Sequence, residues 1–279
     1  MEAILLRLKR MKLGPLFWSV VRFCLVAGIS FIIIFPLLTQ ISTAIKAIED
    51  LYDPTVIWLP KTVTLDNFKM AMTEMRYFSA LVNSLIISVG VSLTQLLSCT
   101  FIGYGFARFK FRGRNLLFAL VVLTLIIPPE LIMIPLFLNF RYFNLFGLLG
   151  ETGLNLLGSL WPYFILSITG TGLRNGLFIY IVRQYFRGMP IELEEAAYVD
   201  GAGPIRTFFT VMMPNAAPVM LIVFLFSFVW MYNDTFYSQL FMGGKDIMSS
   251  NLLALPLRIR YLSGPEVTVY HNAAIVLYL

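Results

Sequence analysis

The chain has 279 residues, 58% of them hydrophobic and 13% charged, with a mean hydropathy of +0.80. Soluble domains carry about 25% charged residues, so one water-soluble core is excluded and a bilayer becomes the expected solvent. The net charge is +6, but the basic residues gather at the ends of apolar segments. That is the pattern of basic loops on the cytoplasmic side of a membrane, not of a nucleic-acid groove.

A membrane span takes roughly 20 apolar residues. The first candidate runs from about Leu16 to Leu38, after Arg7, Lys9, Arg10 and Lys12. It is too long for a signal peptide and lacks the small-residue cleavage site, so it reads as a retained anchor. Arg22 lies one turn inside and can snorkel to the interface. Residues 42–80 are mixed and polar, with Pro54, Pro60 and an amphipathic stretch near Leu65 to Phe78. The second span, about Leu81 to Phe106, ends on Arg108-Phe109-Lys110-Phe111-Arg112-Gly113-Arg114. The third, about Leu116 to Phe140, contains Pro128, Pro129, Glu130 and Pro135. The fourth, about Leu156 to Phe186, carries Gly170, Gly172, Arg174 and Gly176 in its middle. The fifth is about Ala216 to Phe236, and a sixth begins near Val267. Val267 to Leu279 would make a helix of about 20 Å at 1.5 Å per residue, against a hydrocarbon core of about 30 Å. The expectation is a six-span, all-α membrane protein with a cytoplasmic N-terminus and a truncated last span. The segments are then a cytoplasmic 1–15, a first span and external loop over 16–80, and a transmembrane core over 81–279.

Motifs of catalysis are missing. The single histidine, His271, excludes an HExxH zinc site. Gly243-Gly244-Lys245-Asp246 has neither the spacing nor the hydroxyl of a phosphate loop. Cys24 and Cys99 lie inside apolar segments and read as buried small hydrophobes. Two charges stand deep in spans, Glu130 and Arg174. Such charges are costly and seek a partner or a polar cavity, so the two are expected to pair, or to line a pathway.

The remaining signal is Glu192 to Pro214, ELEEAAYVDGAGPIRTFFTVMMP, in the loop 187–214. Pro190 suits a first helical turn. Glu192, Glu194 and Glu195 follow, where the helix dipole favours negative charge. Gly201 is a natural stop, Pro204 can open a second helix, and Pro214 ends it. The segment reads as a helix–turn–helix on the cytoplasmic face, with small residues Ala196, Ala197 and Ala202 that permit close approach.

Glu195-Ala196-Ala197, Gly201 six residues after the Glu, and Val211-x-Met213-Pro214 resemble the EAA signature of ABC importer permeases. Val211 and Met213 are conservative departures from it. Asp200-Gly201-Ala202 also fits that family. Arg108-Phe109 with Phe111 to Arg114, Trp58-Leu59-Pro60, Asn83-Ser84, Pro128-Pro129, Arg183-Gln184 and Asn233-Asp234 look like carbohydrate permeases of the MalG type. The resemblance implies a type I ABC importer permease bundle in a bacterial cytoplasmic membrane, without cofactor or metal. It implies docking on two copies of a cytoplasmic ATPase subunit through Glu195, Ala196, Ala197, Asp200, Gly201 and Pro214. A second homologous permease and an extracytoplasmic sugar-binding protein are the other implied partners, with lipid around them and ATP hydrolysis on a separate subunit. The alternatives are the same architecture for another solute, and an ion-gradient-driven secondary transporter.

Overall fold

The structure is a computed structural model that describes residues 13–145, 147–148, 153–242, 254–260 and 267–278. The basic cluster Arg7 to Lys12 and the Gly243 to Asp246 stretch lie outside the described residues. These residues form helices and turns, with two isolated bridges, Lys46 to Val63 and Phe143 to Leu154. They fall into two units, Met1–Met75 with Leu262–Leu279, and Arg76–Tyr261.

In the first unit, α1 (Leu13–Ala44) is one 32-residue apolar helix, about 48 Å long at 1.5 Å per residue. It extends well beyond the span read from hydropathy. Cys24 is exposed on it, not buried as the sequence suggested. Helices α2 (Ile48–Tyr52) and α3 (Asp66–Glu74) follow, in a loop held by buried polar groups. The Asp50 carboxylate accepts from the backbone N–H of Lys61 (2.8 Å) and Thr62 (3.0 Å). Asn67 donates to the carbonyls of Ala44 and Lys46, both at 2.8 Å. Helix α15 (Val267–Tyr278) packs on α1 and α3.

The second unit is built around α4 (Tyr77–Arg108). It packs along α8 (Asn175–Gly188) and α12 (Ala217–Tyr232). Close approach is made possible by glycine: a Cβ on Gly103 would stand 2.7 Å from Val182.

Two of the spans read from the sequence are each broken into two helices. The third becomes α5 (Arg114–Leu123) and α6 (Pro129–Arg141). Pro129 forces its predecessor out of the helical region, and Pro128 is accordingly extended, with ψ 135°. The fourth becomes α7 (Trp161–Ile168) and α8. Gly170 (φ 71°) and Arg174 (φ 68°) take left-handed conformations between them. That geometry is easy for glycine but costs an arginine about 1–2 kcal/mol.

Among the described residues, two helices are long and apolar enough to cross a bilayer, one within α1 and the other α4. A third candidate is the pair Pro204–Asn215 and Ala217–Tyr232, bent by 75°. Helices α13 (Phe236–Met242) and α14 (Leu255–Arg260) complete the unit.

Candidate functional site

The acidic segment forms the helix–turn–helix expected of it. Helix α9 (Glu192–Val199) starts with three glutamates in its first turn. It closes at Gly201 (φ 78°), where Ala202 N–H donates to Ala197 O (2.9 Å) and Gly201 N–H to Tyr198 O (3.0 Å). This closure satisfies two orphan carbonyls and requires a left-handed residue at 201. Helix α10 (Pro204–Thr207) begins on Pro204. A π-turn over Phe208–Met212 follows, in which Met213 N–H reaches back to Phe208 O. Pro214, next in line, has no N–H to give to Thr210 O and its ring crowds that carbonyl, which favours the wider turn. Helix α11 (Met213–Asn215) then leads through the bend into α12.

The two faces of α9 differ. Glu195, Ala196, Val199 and Asp200 are exposed, Val199 at 87%, and Ile205 of α10 is exposed at 77%. Glu194 and Ala197 face inward, at 6% and 7%. Ala197, grouped in the sequence with Ala196 as a docking residue, thus turns toward its own chain. Inside, Arg108 at the end of α4 holds the segment twice. Its Nε lies 3.1 Å from Glu194 Oε1, and its Nη2 donates to Met189 O at 2.8 Å. Beside that ion pair, Phe208 of the π-turn meets Tyr104 of α4 (ring centroids 4.7 Å), and Tyr104 meets Phe186 of α8 (5.2 Å). Tilted and edge-to-face aromatic pairs of this kind add about 0.5–1.5 kcal/mol each beyond burial. The segment is therefore tied to α4 and α8 on one side and bare on the other.

A second feature lies where helices break. A cavity of about 340 Å³ is lined by Gln95, Glu130, Arg174, Trp230 and Asp234, among others. Glu130 opens α6, and Arg174 stands at the start of α8 with its guanidinium 4.6 Å from the Trp230 ring centroid. The two charges share this wall and are not among the ion pairs within 4.0 Å found in the described residues. Asp234 accepts from the backbone N–H of Tyr237 (3.3 Å) and Ser238 (3.0 Å), so it caps α13.

Part of the cavity wall is a neutral hub that sequence reasoning missed. Gln95 donates to Leu173 O (3.0 Å) and to Asn175 Oδ1, and accepts from Ser227. Ser98 donates to Ser167 O at 2.6 Å. The available signal was a lone glutamine in an apolar span. Inside a bilayer such a group must find a partner on a neighbouring helix.

Comparison with known proteins adds the lineage. The family model described as "Binding-protein-dependent transport system inner membrane component" matches residues 99–263, which include the hub partners Asn175 and Ser227, the cavity-lining Glu130, Arg174, Trp230 and Asp234, and the whole acidic segment, while Gln95 and Ser98 lie just before it. The osmoprotective compounds uptake permease protein GgtD of Synechocystis sp. is 34% identical over 193 residues, 68% of this chain and 60% of that protein. The arabinooligosaccharides transport system permease protein AraQ of Halalkalibacterium halodurans is 29% identical over 245 residues, 86% and 79% of the two chains. The alpha-glucoside transport system permease protein AglG of Rhizobium meliloti is 32% identical over 188 residues, but the match spans 47% of its length. In three dimensions, the chain is similar to one in the crystal structure of a bacterial ABC transporter involved in the import of the acidic polysaccharide alginate. The TM-score is 0.75, with 94% and 91% of the two chains covered at 19% identity. At that identity the likeness gives the fold alone, the helical fold of that transporter chain.

Proposed function

This chain belongs to the binding-protein-dependent transport system inner membrane components, and on that premise we propose that it is the membrane-spanning permease of an ATP-driven sugar or oligosaccharide importer. The solute would arrive on an extracytoplasmic binding protein. A second permease would complete the pathway, and a pair of ATPase subunits would supply the work. The chain would cross the membrane six times from a cytoplasmic N-terminus, through α1, α4, the broken pairs α5–α6 and α7–α8, the bent segment ending in α12, and the apolar segment that begins at Val267.

The observation that carries this reading is the two-faced acidic segment. Glu195, Ala196, Asp200 and Gly201 form the docking face, and the small Ala196 lets a groove on the ATPase close over the helix. Gly201 sets the bend, and Pro214 forces the π-turn that joins the docking face to α12. Ala197 contributes from within, by letting α9 lie close to its own chain. When the ATPase pair closes, α9 moves and carries with it the ends of α4 and α8, through Arg108, Glu194 and the Tyr104–Phe186–Phe208 aromatics. The breaks at Pro128–Pro129 and Gly170–Arg174 are the points where outer and inner halves of the bundle can pivot. Glu130 and Arg174, at those breaks, line the pathway.

The relatives named for arabinooligosaccharides and alpha-glucosides support a saccharide. The name of GgtD points to osmoprotective compounds, so competition by sugars and by such solutes in an uptake assay sorts the two. The docking reading is tested by recovering the tagged full chain from its native membrane. We expect an ATPase subunit to accompany it. Replacing Glu195 by Ala and Gly201 by Val should remove the ATPase while the chain stays in the membrane. Recovery without an ATPase in every detergent tried would contradict the reading.

A further inference from the structure

One charged cluster remains that neither docking nor the pathway uses. The loop after α4 brings Lys110, Arg112 and Arg114 to the start of α5. The Arg183 guanidinium of α8 lies 3.7 Å from the Phe118 ring centroid. Phe118 is one turn beyond Arg114 on α5, and Arg187 is one turn beyond Arg183 on α8. Residues four apart share a helix face, so Arg114, Arg183 and Arg187 converge at one end of this helix pair.

Among the described residues, no carboxylate lies within 4.0 Å of these five cations. Arg108, by contrast, has Glu194. The Arg114 side chain donates to Phe109 O (3.2 Å) and that of Arg183 to Gln184 Oε1 (3.4 Å), while among the described residues the buried Arg183 Nε has no hydrogen-bond partner. Helix α5 has no acid in its first turn, so its dipole adds positive charge here instead of offsetting it. A cleft of about 250 Å³ opens at the same place, lined by Lys110, Phe111, Gly113, Arg114 and Asn115. Immediately along α5 the surface turns apolar and open, with Leu116 at 68%, Leu117 at 47% and Leu120 at 50% exposure.

We propose that this cluster is a binding site for an anionic phospholipid of the cytoplasmic leaflet. The phosphate would enter the cleft at Lys110 and Arg114, facing Arg187, and an acyl chain would lie along Leu116, Leu117 and Leu120. A basic cluster alone fits any anion. The adjoining exposed apolar face is what selects a lipid over a free phosphate or an acidic protein surface. The lipid would fix the α4–α5 corner, next to Arg108, so that motion of the docking segment reaches α4 without being lost in the loop. The site itself does not depend on which solute is carried.

The test uses the full chain, extracted with whatever subunits accompany it and placed in nanodiscs of phosphatidylglycerol or of phosphatidylcholine. Native mass spectrometry then counts the lipids retained. Each surface cation contributes about fivefold to anionic-lipid binding, so Arg114→Gln with Arg187→Gln should lower phosphatidylglycerol retention roughly twenty-five-fold. Arg114→Lys with Arg187→Lys should keep most of it, and Lys61→Gln, on the other unit, should change nothing. Inorganic phosphate should not displace the lipid. Equal retention of the two lipids, retention unmoved in the double Gln variant, or displacement by phosphate alone would overturn the proposal. So would loss of an accompanying subunit in the double Gln variant with lipid retention unchanged, which would assign the cluster to a protein contact.

Discussion

Helices α1 and α4 have the same length, 32 residues, and both are apolar enough to cross a bilayer, yet they are made for different neighbours. None of the most apolar window of α1 is buried, against 39% of that of α4. The reason is a stripe. Along α4 the buried positions include Ser84, Ser88, Ser92, Gln95, Cys99 and Gly103, three or four residues apart and small or polar. Lipid is as apolar as leucine, so helices in a membrane associate through small residues that allow close packing and through polar groups that find partners. Helix α1 presents bulky side chains such as Phe23 and Ile32 outward, at 73% and 71% exposure. Hydropathy thus says that both helices are apolar enough to span, and small-residue spacing says which one is the hub.

The contrast can be broken from the α4 side. The largest effect is expected at its C-terminal end. Arg108→Ala or Glu194→Ala strands a buried charge, which costs about 3–5 kcal/mol. Detergent unfolding should register that loss, and proteolysis should reach the acidic segment. Exchanging the pair, Arg108→Glu with Glu194→Arg, should recover part of it. Next comes Gly103→Leu. Its Cβ would meet Val182 at 2.7 Å and the backbone nitrogen of Arg183 at 3.1 Å, so separating α4 from α8 should cost about 1–3 kcal/mol. The smallest effect belongs to α1. Phe23→Ala should stay within about 0.5 kcal/mol in the same unfolding assay, and a larger loss would mean that α1 packs as α4 does.

How much of this was legible in the sequence depended on whether a signal was local. The acidic helix was legible because Pro190, the glutamates, Gly201 and Pro204 each act on their own turn. The all-helical class followed from composition and segment length. The breaks were half legible. Pro128-Pro129 and Gly170 were visible, but a sum of hydropathy over the segment runs across them, and the left-handed Arg174 has no marker in its residue type. The inward turn of Ala197 was not legible, because Ala196 and Ala197 are identical in chemistry and only the position of Arg108 and the aromatics decides which faces in. Gln95 was passed over for a similar reason. Its partners Asn175 and Ser227 lie far along the chain, and their approach follows from the packing of α8 and α12 on α4.

The central claim is that one face of α9 is held by the chain and the other is offered to a motor subunit. Single-cysteine cross-linking on the assembled membrane complex tests it most directly, with a photoactivatable reagent placed at Ala196→Cys and, separately, at Ala197→Cys. The account predicts an adduct with a cytoplasmic ATPase from position 196, and from position 197 an intramolecular product or none. Equal adducts from both positions, or an adduct with lipid alone from position 196, would contradict it.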